Sequence, residues 1–400
     1  MVMALAPIYG ITLVDVFGYM IMVPLLPYVA QRYGANGLQV GALLATMAVA
    51  SVVAAPVWGT LSDRIGRKPM VLFSQIVSLT GYILLATAPS LAMLYVARGV
   101  AGIGGGGVGV TQSYIADVTD EAHRDRAYGL FGVVFGIGIV LGPVAGGFLV
   151  RFGYFAPFAV AALIEVVNIV LTLRFLPNTH RQNADRTSVI AAARQVLELP
   201  DVRLLVARHF LFIFAVTFFF TIFALYVQRA LDLGPSQASW LLAGTGIVGG
   251  IALVAGVAPL AERYGDTLVA QVGLALNGAA YLALPFARTI PAFAAVLVVW
   301  AIGASCIEPT LSALLSERAP EDRRGATMGV NDALSNAALM VAPALGGWIV
   351  DKSLALVGVV PAIAVLGAFA LGLGRRARPG KQHGATERKK GLALADSVES

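Results

Sequence analysis

The chain has 400 residues, 58% hydrophobic and only 12% charged, with mean hydropathy +0.81 and net charge +6. That is more apolar surface than one water-soluble core can enclose, so lipid is the solvent for most of it and a soluble enzyme or binding domain is excluded. The basic balance would suit a nucleic-acid binder, but the charges sit in the breaks between apolar runs, so no nucleic-acid partner is expected.

A membrane-spanning helix needs about 20 apolar residues, and such runs are predicted at 5–29, 38–60, 70–88, 91–114, 127–150, 155–176, 204–228, 238–260, 267–287, 292–315, 327–350 and 354–374. They are helices and not barrel strands, because no short alternating segments occur and a lipid-exposed chain must satisfy its own backbone. Met1–Ala6 lacks a basic region and a small-residue cleavage site, so it is expected to begin the first span and not a removable signal. Of the 28 Lys and Arg, all but Arg32, Arg98, Arg151, Arg229, Arg288 and Lys352 fall on one side. The positive-inside rule makes this basic side cytoplasmic, with both termini on it, in a cell inner membrane.

The longest polar break, 177–203, separates six predicted spans from six. Its Ala191–Leu199 stretch fits a short interfacial helix or a solvated loop equally well. GPVAGG at Gly142–Gly147 recurs as APALGG at Ala342–Gly347, and SDRIG at Ser62–Gly66 as AERYG at Ala261–Gly265. This internal repeat predicts an all-α membrane protein of twelve transmembrane helices in two pseudo-symmetric six-helix bundles, 1–176 and 204–374, with a basic, disordered tail at 375–400.

In chain order, the chemistry-bearing residues begin with Asp15, about 15 Å into the first span at 1.5 Å per residue. Tyr19, one turn on, is a candidate for the substrate cavity. The following loop reads Gly59-Thr-Leu-Ser-Asp63-Arg64-Ile-Gly66-Arg67-Lys68; its glycines allow helix ends to approach and its mixed charges can latch one conformation. Arg98 lies in the fourth span and Asp117 at its end. A buried charge in hydrocarbon costs at least about 2.5 kcal/mol, so Asp15 and Arg98 should face a cavity or each other. A changing Asp15–Arg98 contact, direct or through water, would move a proton, since burial favours the neutral carboxyl and a nearby guanidinium the charged one. A static bridge is the simpler alternative.

Further on, Gly102–Gly109 (GIGGGGVG) is composed like a phosphate loop, but it lies inside a span and lacks the Lys-Ser/Thr ending; close helix packing is expected. The fifth span carries Gly142, Pro143, Gly146 and Gly147, and the sixth Glu165. The run Thr217–Phe220 could line an apolar pocket for cargo, but lipid-facing packing is expected. The lone Cys306 excludes an intramolecular disulfide. Glu308, followed by Pro309, pairs an acid with a helix-kinking residue and is a second candidate for proton coupling or for contact with a cationic group, with a structural acid paired within its own half as the alternative. Asn331, Asp332 and Asn336 make one side of the eleventh span polar and are cavity candidates, with interhelical hydrogen bonding as the alternative. No metal-ligand pair and no nucleophile–base constellation occurs, so neither a metal, a cofactor nor an enzyme activity is expected.

The Gly59–Lys68 loop resembles the signature of the major facilitator superfamily, G-x-L-a-D-R-x-G-R-[RK]. Leu13-Val-Asp15-Val-Phe-Gly18 with Pro24 and Pro27, Leu94-Tyr95-Val-Ala-Arg98-Gly-Val-Ala-Gly102, and Gly138-x3-Gly142-Pro143-x2-Gly146-Gly147 resemble motifs of its drug:proton antiporter branch, whose earliest fifth-span glycine falls here on Val134. The first half is most similar to tetracycline/proton antiporters, through TLVDVFGYMIMVPLLP and the Ile-Ala-Asp run ending at Asp117. The second half departs from them, with Asn277 in the ninth span and Gly81 in the third where the resemblance leads to aspartates. The resemblance implies the major facilitator fold and export of small organic molecules in exchange for protons by alternating access, in a single chain. It also implies that Asp63 steadies the N-terminal end of the eleventh helix in the outward-facing state, and that Arg67 approaches Asp117. Proton-coupled uptake, and a receptor or lipid-handling role without coupled flux, are the alternatives.

Overall fold

A computed structural model describes residues 2–105, 107–120, 123–177, 194, 196–320 and 323–373. The tail and most of the 177–203 break, including residues 191–193 and 195 of the Ala191–Leu199 stretch, lie outside the described residues. Within them the chain is helical, with no strand. Eleven helices are long and apolar enough to cross a membrane, and the fourth span begins as a shorter apolar helix, Leu91–Gly104.

Most spans are single helices: Gly37–Ile65, Arg67–Ala86, Arg124–Leu149, Phe155–Phe175, Pro200–Leu231, Asp266–Ala283, Ile290–Arg318, Arg324–Lys352 and Leu354–Leu373 are the second, third, fifth, sixth, seventh, ninth, tenth, eleventh and twelfth. Three differ from the uninterrupted runs that hydropathy predicts. The first is broken into Val2–Met22 and Leu26–Arg32, because Pro24 removes a donor and clashes with the preceding turn. The fourth continues after Gly104 as Gly107–Val118. The eighth passes from Pro235–Ala252 through a π-turn at Leu253–Val257 into Ala258–Tyr264. The seventh starts at Pro200, earlier than the predicted 204, with Pro at its first position, where no donor is lost.

Local chemistry ends these helices where it should. Asn36 and Gln39 form a reciprocal capping box at the start of the second span, and Ser90 and Thr289 cap the fourth and tenth. Gly66 and Gly265 occupy equivalent places in the repeat and both take positive φ, 99° and 83°, so the tight turns between the second and third and the eighth and ninth spans require glycine. Large apolar side chains such as Val53, Phe152, Val254 and Phe286 remain exposed around the outside, a belt that only lipid can cover.

The internal repeat is also a repeat of contacts. Gly146 lies against the backbone of Ile21 in the first span, and Gly346 against Ile222 and Phe218 in the seventh. One residue on, Gly147 faces Ser239 of the eighth span and Gly347 faces Gly37 of the second. Each glycine pair thus holds one contact inside its own bundle and one across to the other. The halves are sealed on the side opposite the basic loops: Gly41 touches Pro343, the Tyr28 hydroxyl donates toward the carbonyls of Ala224 and Leu233 at 3.3 and 3.2 Å, and Ser236 Oγ donates to the Gly147 carbonyl at 2.8 Å. Asp351 accepts from the Leu38 amide at the start of the second span, 3.1 Å, and pairs with Arg229 at 2.7 Å.

Toward the basic side the halves part. A Cβ placed on Gly129, Gly132 or Gly136 of the fifth span, Gly250 or Gly256 of the eighth, or Gly329 of the eleventh would meet nothing within 4 Å. Together with the exposed Glu308, Asp332 and Asn336, these open positions fit a vestibule between the bundles that opens at the basic side.

Thr217–Phe220 corrects an expectation. Phe218 and Phe219 are buried, and Phe219 packs edge-on against Phe223 and Tyr281 and tilted against Trp300. Hydropathy cannot separate a lipid-facing aromatic from one that fills a bundle core, and here the core holds them.

Candidate functional site

The first bundle holds a polar cluster at mid-depth. Asp15, half-buried, lines a narrow cleft of about 20 Å³ with Thr12, Ser74, Gln75 and Thr111. Gly18, one turn on, lets the first span approach Ile164 of the sixth, which brings Asp15 toward Glu165. Glu165 has no exposed surface; the side chain of Asn168, one turn on, is its polar neighbour, and no hydrogen bond of good geometry reaches its carboxyl oxygens among the described residues. Leaving a buried carboxylate uncompensated costs several kcal/mol, so an acid at this place is a costly feature of the bundle.

Arg98 is also buried, with its guanidinium 5.8 Å from the centre of the Tyr19 ring and its Nε without a partner. A desolvated cation over an aromatic face gains about 2 kcal/mol. No ion pair joins Asp15 and Arg98 among the described residues; Arg98 meets Tyr19, one turn from Asp15. Tyr82 of the third span lies within electrostatic reach of Glu165, Asp15, Tyr19 and Arg98 together. Two phenols therefore stand among the three ionisable groups, and of the Asp15–Arg98 contact expected from the sequence, direct or through water, the direct form is not made in this structure.

The signature loop is a compact knot of charge. Arg67 donates from Nε to Asp117 and from Nη1 to Asp63, both at 2.8 Å, and from Nη1 to Ser62 at 2.9 Å. Lys68 donates to the Leu173 carbonyl at 2.8 Å, while Arg64 is exposed. The loop thereby ties the ends of the second, third, fourth and sixth spans together, and Gly59 lies in the last turns of the second. Arg67→Met removes the bonds to Asp117, Asp63 and Ser62, and the expected loss of stability is about 3 kcal/mol or more. Thermal unfolding of the detergent-purified variant, measured beside the wild type, checks this.

The fifth-span stripe fits against the break in the first. Gly138 faces Val16, Gly142 faces Met20 and Gly146 faces Ile21, so these glycines cradle the segment that carries Asp15 and Tyr19. Pro143, between them, is buried inside the helix.

In the second bundle, Glu308 is about half exposed to the vestibule, and its Oε2 lies 2.8 Å from Nε2 of His209 in the seventh span. The other ring nitrogen, Nδ1, lies 2.7 Å from Oδ1 of the buried Asn331. Asp332 and Asn336 are exposed on the same helix, and Asp332 acts electrostatically on both His209 and Glu308. The structure thus gathers Glu308, Asn331 and Asp332, which the sequence suggests separately, around a histidine that the sequence reading passes over. A lone histidine inside an apolar run was the available signal. Gly81 and Asn277 are packing positions: a Cβ at Gly81 meets Ala101 at 2.8 Å, and the fully buried Asn277 donates to the Trp300 carbonyl at 3.0 Å. Gly81 leaves no room for a larger side chain, and Asn277 is turned into the packing against the tenth span and away from the vestibule. No cluster of three metal-ligating side chains occurs among the described residues.

Known proteins share this architecture. The chain is 30% identical over 356 residues to "Tetracycline resistance protein, class H" of Pasteurella multocida, covering 86% of this chain and 88% of that one. It is 32% identical over 355 residues to the class C protein of Escherichia coli, covering 85% and 88%. Among solved structures it superposes on the nucleoside transporter NupG with a TM-score of 0.76 at 12% identity, covering 93% of this chain and all of that one. The family model of the Major Facilitator Superfamily matches twice, at residues 8–234 and 205–397. With two six-helix bundles, contacts repeated between them and a vestibule between the halves, the chain is an integral membrane protein that belongs to the Major Facilitator Superfamily.

Proposed function

We propose that this chain exports small organic molecules, antibiotics among them, in exchange for protons by alternating access, acting as a single polypeptide. The observation that carries the proposal is the pair of acids Asp15 and Glu165 held with Arg98 in an otherwise apolar bundle. Charges at that depth are costly and are kept where protons or ions pass. Asp15 is the proton-linked group, with Arg98, Tyr19 and Tyr82 setting its surroundings; Glu308, Asn331, Asp332 and Asn336 line the substrate side. The charged loop from Gly59 to Lys68, with Asp117, steadies the basic end of the first bundle. The stripe Gly142, Pro143, Gly146 and Gly147 fits the bundles together on the other side. The basic side is cytoplasmic, so the vestibule faces the cell interior.

Relatives named for tetracycline resistance support the cargo class. The departures at Gly81 and Asn277 point to a cargo chemistry of its own, met by Glu308 and its neighbours. Expression in a bacterium lacking its main exporters is expected to raise the inhibitory concentration of at least one antibiotic or dye in a broad panel, and a protonophore should abolish the gain. Unchanged sensitivity across the panel, with the protein shown in the membrane, would sink the proposal.

A further inference from the structure

His209 lies nine residues after the start of the seventh span, near the basic side, and is 4% exposed. Its ring is gripped at both nitrogens by groups from two other helices, Glu308 at 2.8 Å and Asn331 at 2.7 Å. Neutral imidazole offers one N–H and one lone pair, whereas the protonated ring offers two N–H groups. Two oxygens therefore suit imidazolium. When the ring is neutral, one contact must change: the Asn331 amide turns to present its NH₂, or the Glu308 carboxylate loses its donor.

The charges around this ring are few. The tenth span contributes Glu308 and the eleventh Asp332. Arg208, the neighbour of His209, turns away and donates to the Ala368 carbonyl of the twelfth span at 3.0 Å. With His209 protonated, the two carboxylates face one cation; with His209 neutral, they face none. Glu308, about half exposed, then presents an unneutralised carboxylate to the vestibule.

We propose that His209 is a proton acceptor of the second bundle, and that its protonation switches Glu308 between an imidazolium partner and a free anionic site for a monovalent organic cation. The step balances: as the cation reaches Glu308, the imidazolium yields its proton to water on the basic side. The site then holds either one proton or one cation, and its net charge is unchanged. This deepens the export reading, on which it rests, by naming the cargo class and a second proton site separate from Asp15. Histidine is suited to the task because its ordinary titration falls between pH 5 and 8.

The test is equilibrium binding of ethidium, whose permanent charge does not titrate, to the full-length protein in lipid nanodiscs between pH 6 and 8.5. Wild-type affinity is expected to fall on acidification by up to about tenfold per pH unit, the limit for competition with a single proton. His209→Gln, which keeps an amide donor toward Glu308, should bind with affinity that varies less than about twofold across the range. Glu308→Gln should bind weakly at every pH. A merely structural histidine would change the level of binding or the melting temperature but not remove the slope. A His209→Gln protein that retains the wild-type slope overturns the proton role. Absence of saturable ethidium binding by the wild type at pH 8.5 overturns the cation class, and leaves proton-coupled export of neutral or anionic compounds to be judged by the resistance screen.

Discussion

In membranes energised by an electrical potential, Asp15→Asn is expected to abolish the part of substrate accumulation that the potential drives, while exchange of labelled for unlabelled substrate continues. The amide keeps the size and polarity of the side chain but cannot bind or release a proton. Asp15 stands in the cleft with Thr12, Ser74 and Gln75, beside Glu165 and within one turn of the Tyr19 ring that Arg98 faces. A proton bound there and released on the other side carries charge across the membrane. At 100 mV one charge is worth about 2.3 kcal/mol, so about a 50-fold concentration gradient is at stake. Uptake of substrate into inverted vesicles under a potassium diffusion potential measures it directly. Wild-type accumulation in the Asp15→Asn variant would remove Asp15 from the proton path.

The second large effect is expected at the seal. A Cβ on Gly347 would meet the backbone of Gly37, with the carbonyl carbon at 2.7 Å and the Gly41 Cα at 3.1 Å. Backbone on both sides cannot give way as a flexible side chain would, so Gly347→Leu must push the second and eleventh spans apart. Overpacking of this kind costs about 1–3 kcal/mol, which moves a two-state equilibrium by about 5- to 150-fold. Alternating access needs the sealed state in every cycle, so transport should fall by a similar factor. A cysteine at Asn336, in the vestibule, should also become open to a membrane-impermeant maleimide added from the sealed side. Gly329→Leu, which meets nothing within 4 Å, should leave transport within about twofold. Equal loss in both variants would show that the close approach at Gly347 has no special role.

Hydropathy and the repeat made the architecture legible, because twelve apolar runs leave the backbone few alternatives in lipid. The breaks at Pro24 and after Gly104 were harder to read. Proline and glycine tolerate several outcomes in a membrane helix, and the contacts that decide, such as Gly104 against Ser74 and Ser78, come from other spans. The same limit applies to the site. Asp15, Arg98 and Glu308 announce themselves as charges inside spans, yet nothing local shows that Arg98 faces Tyr19 or that Glu165 is wholly enclosed. His209 shows the limit most clearly: its partners are 99 and 122 residues away, and no spacing rule joins them. Asn277 and Gly81 illustrate the converse, since positions that resemblance marks as chemical prove to be places where helices touch.

Purified protein in proteoliposomes, with a pH-sensitive dye trapped inside and a compound from the resistance screen supplied on one face, tests proton exchange most directly. The predicted result is proton movement opposite to the compound, in fixed ratio to it and absent without it. Accumulation of the compound with no proton movement, or with protons moving in the same direction, would contradict antiport.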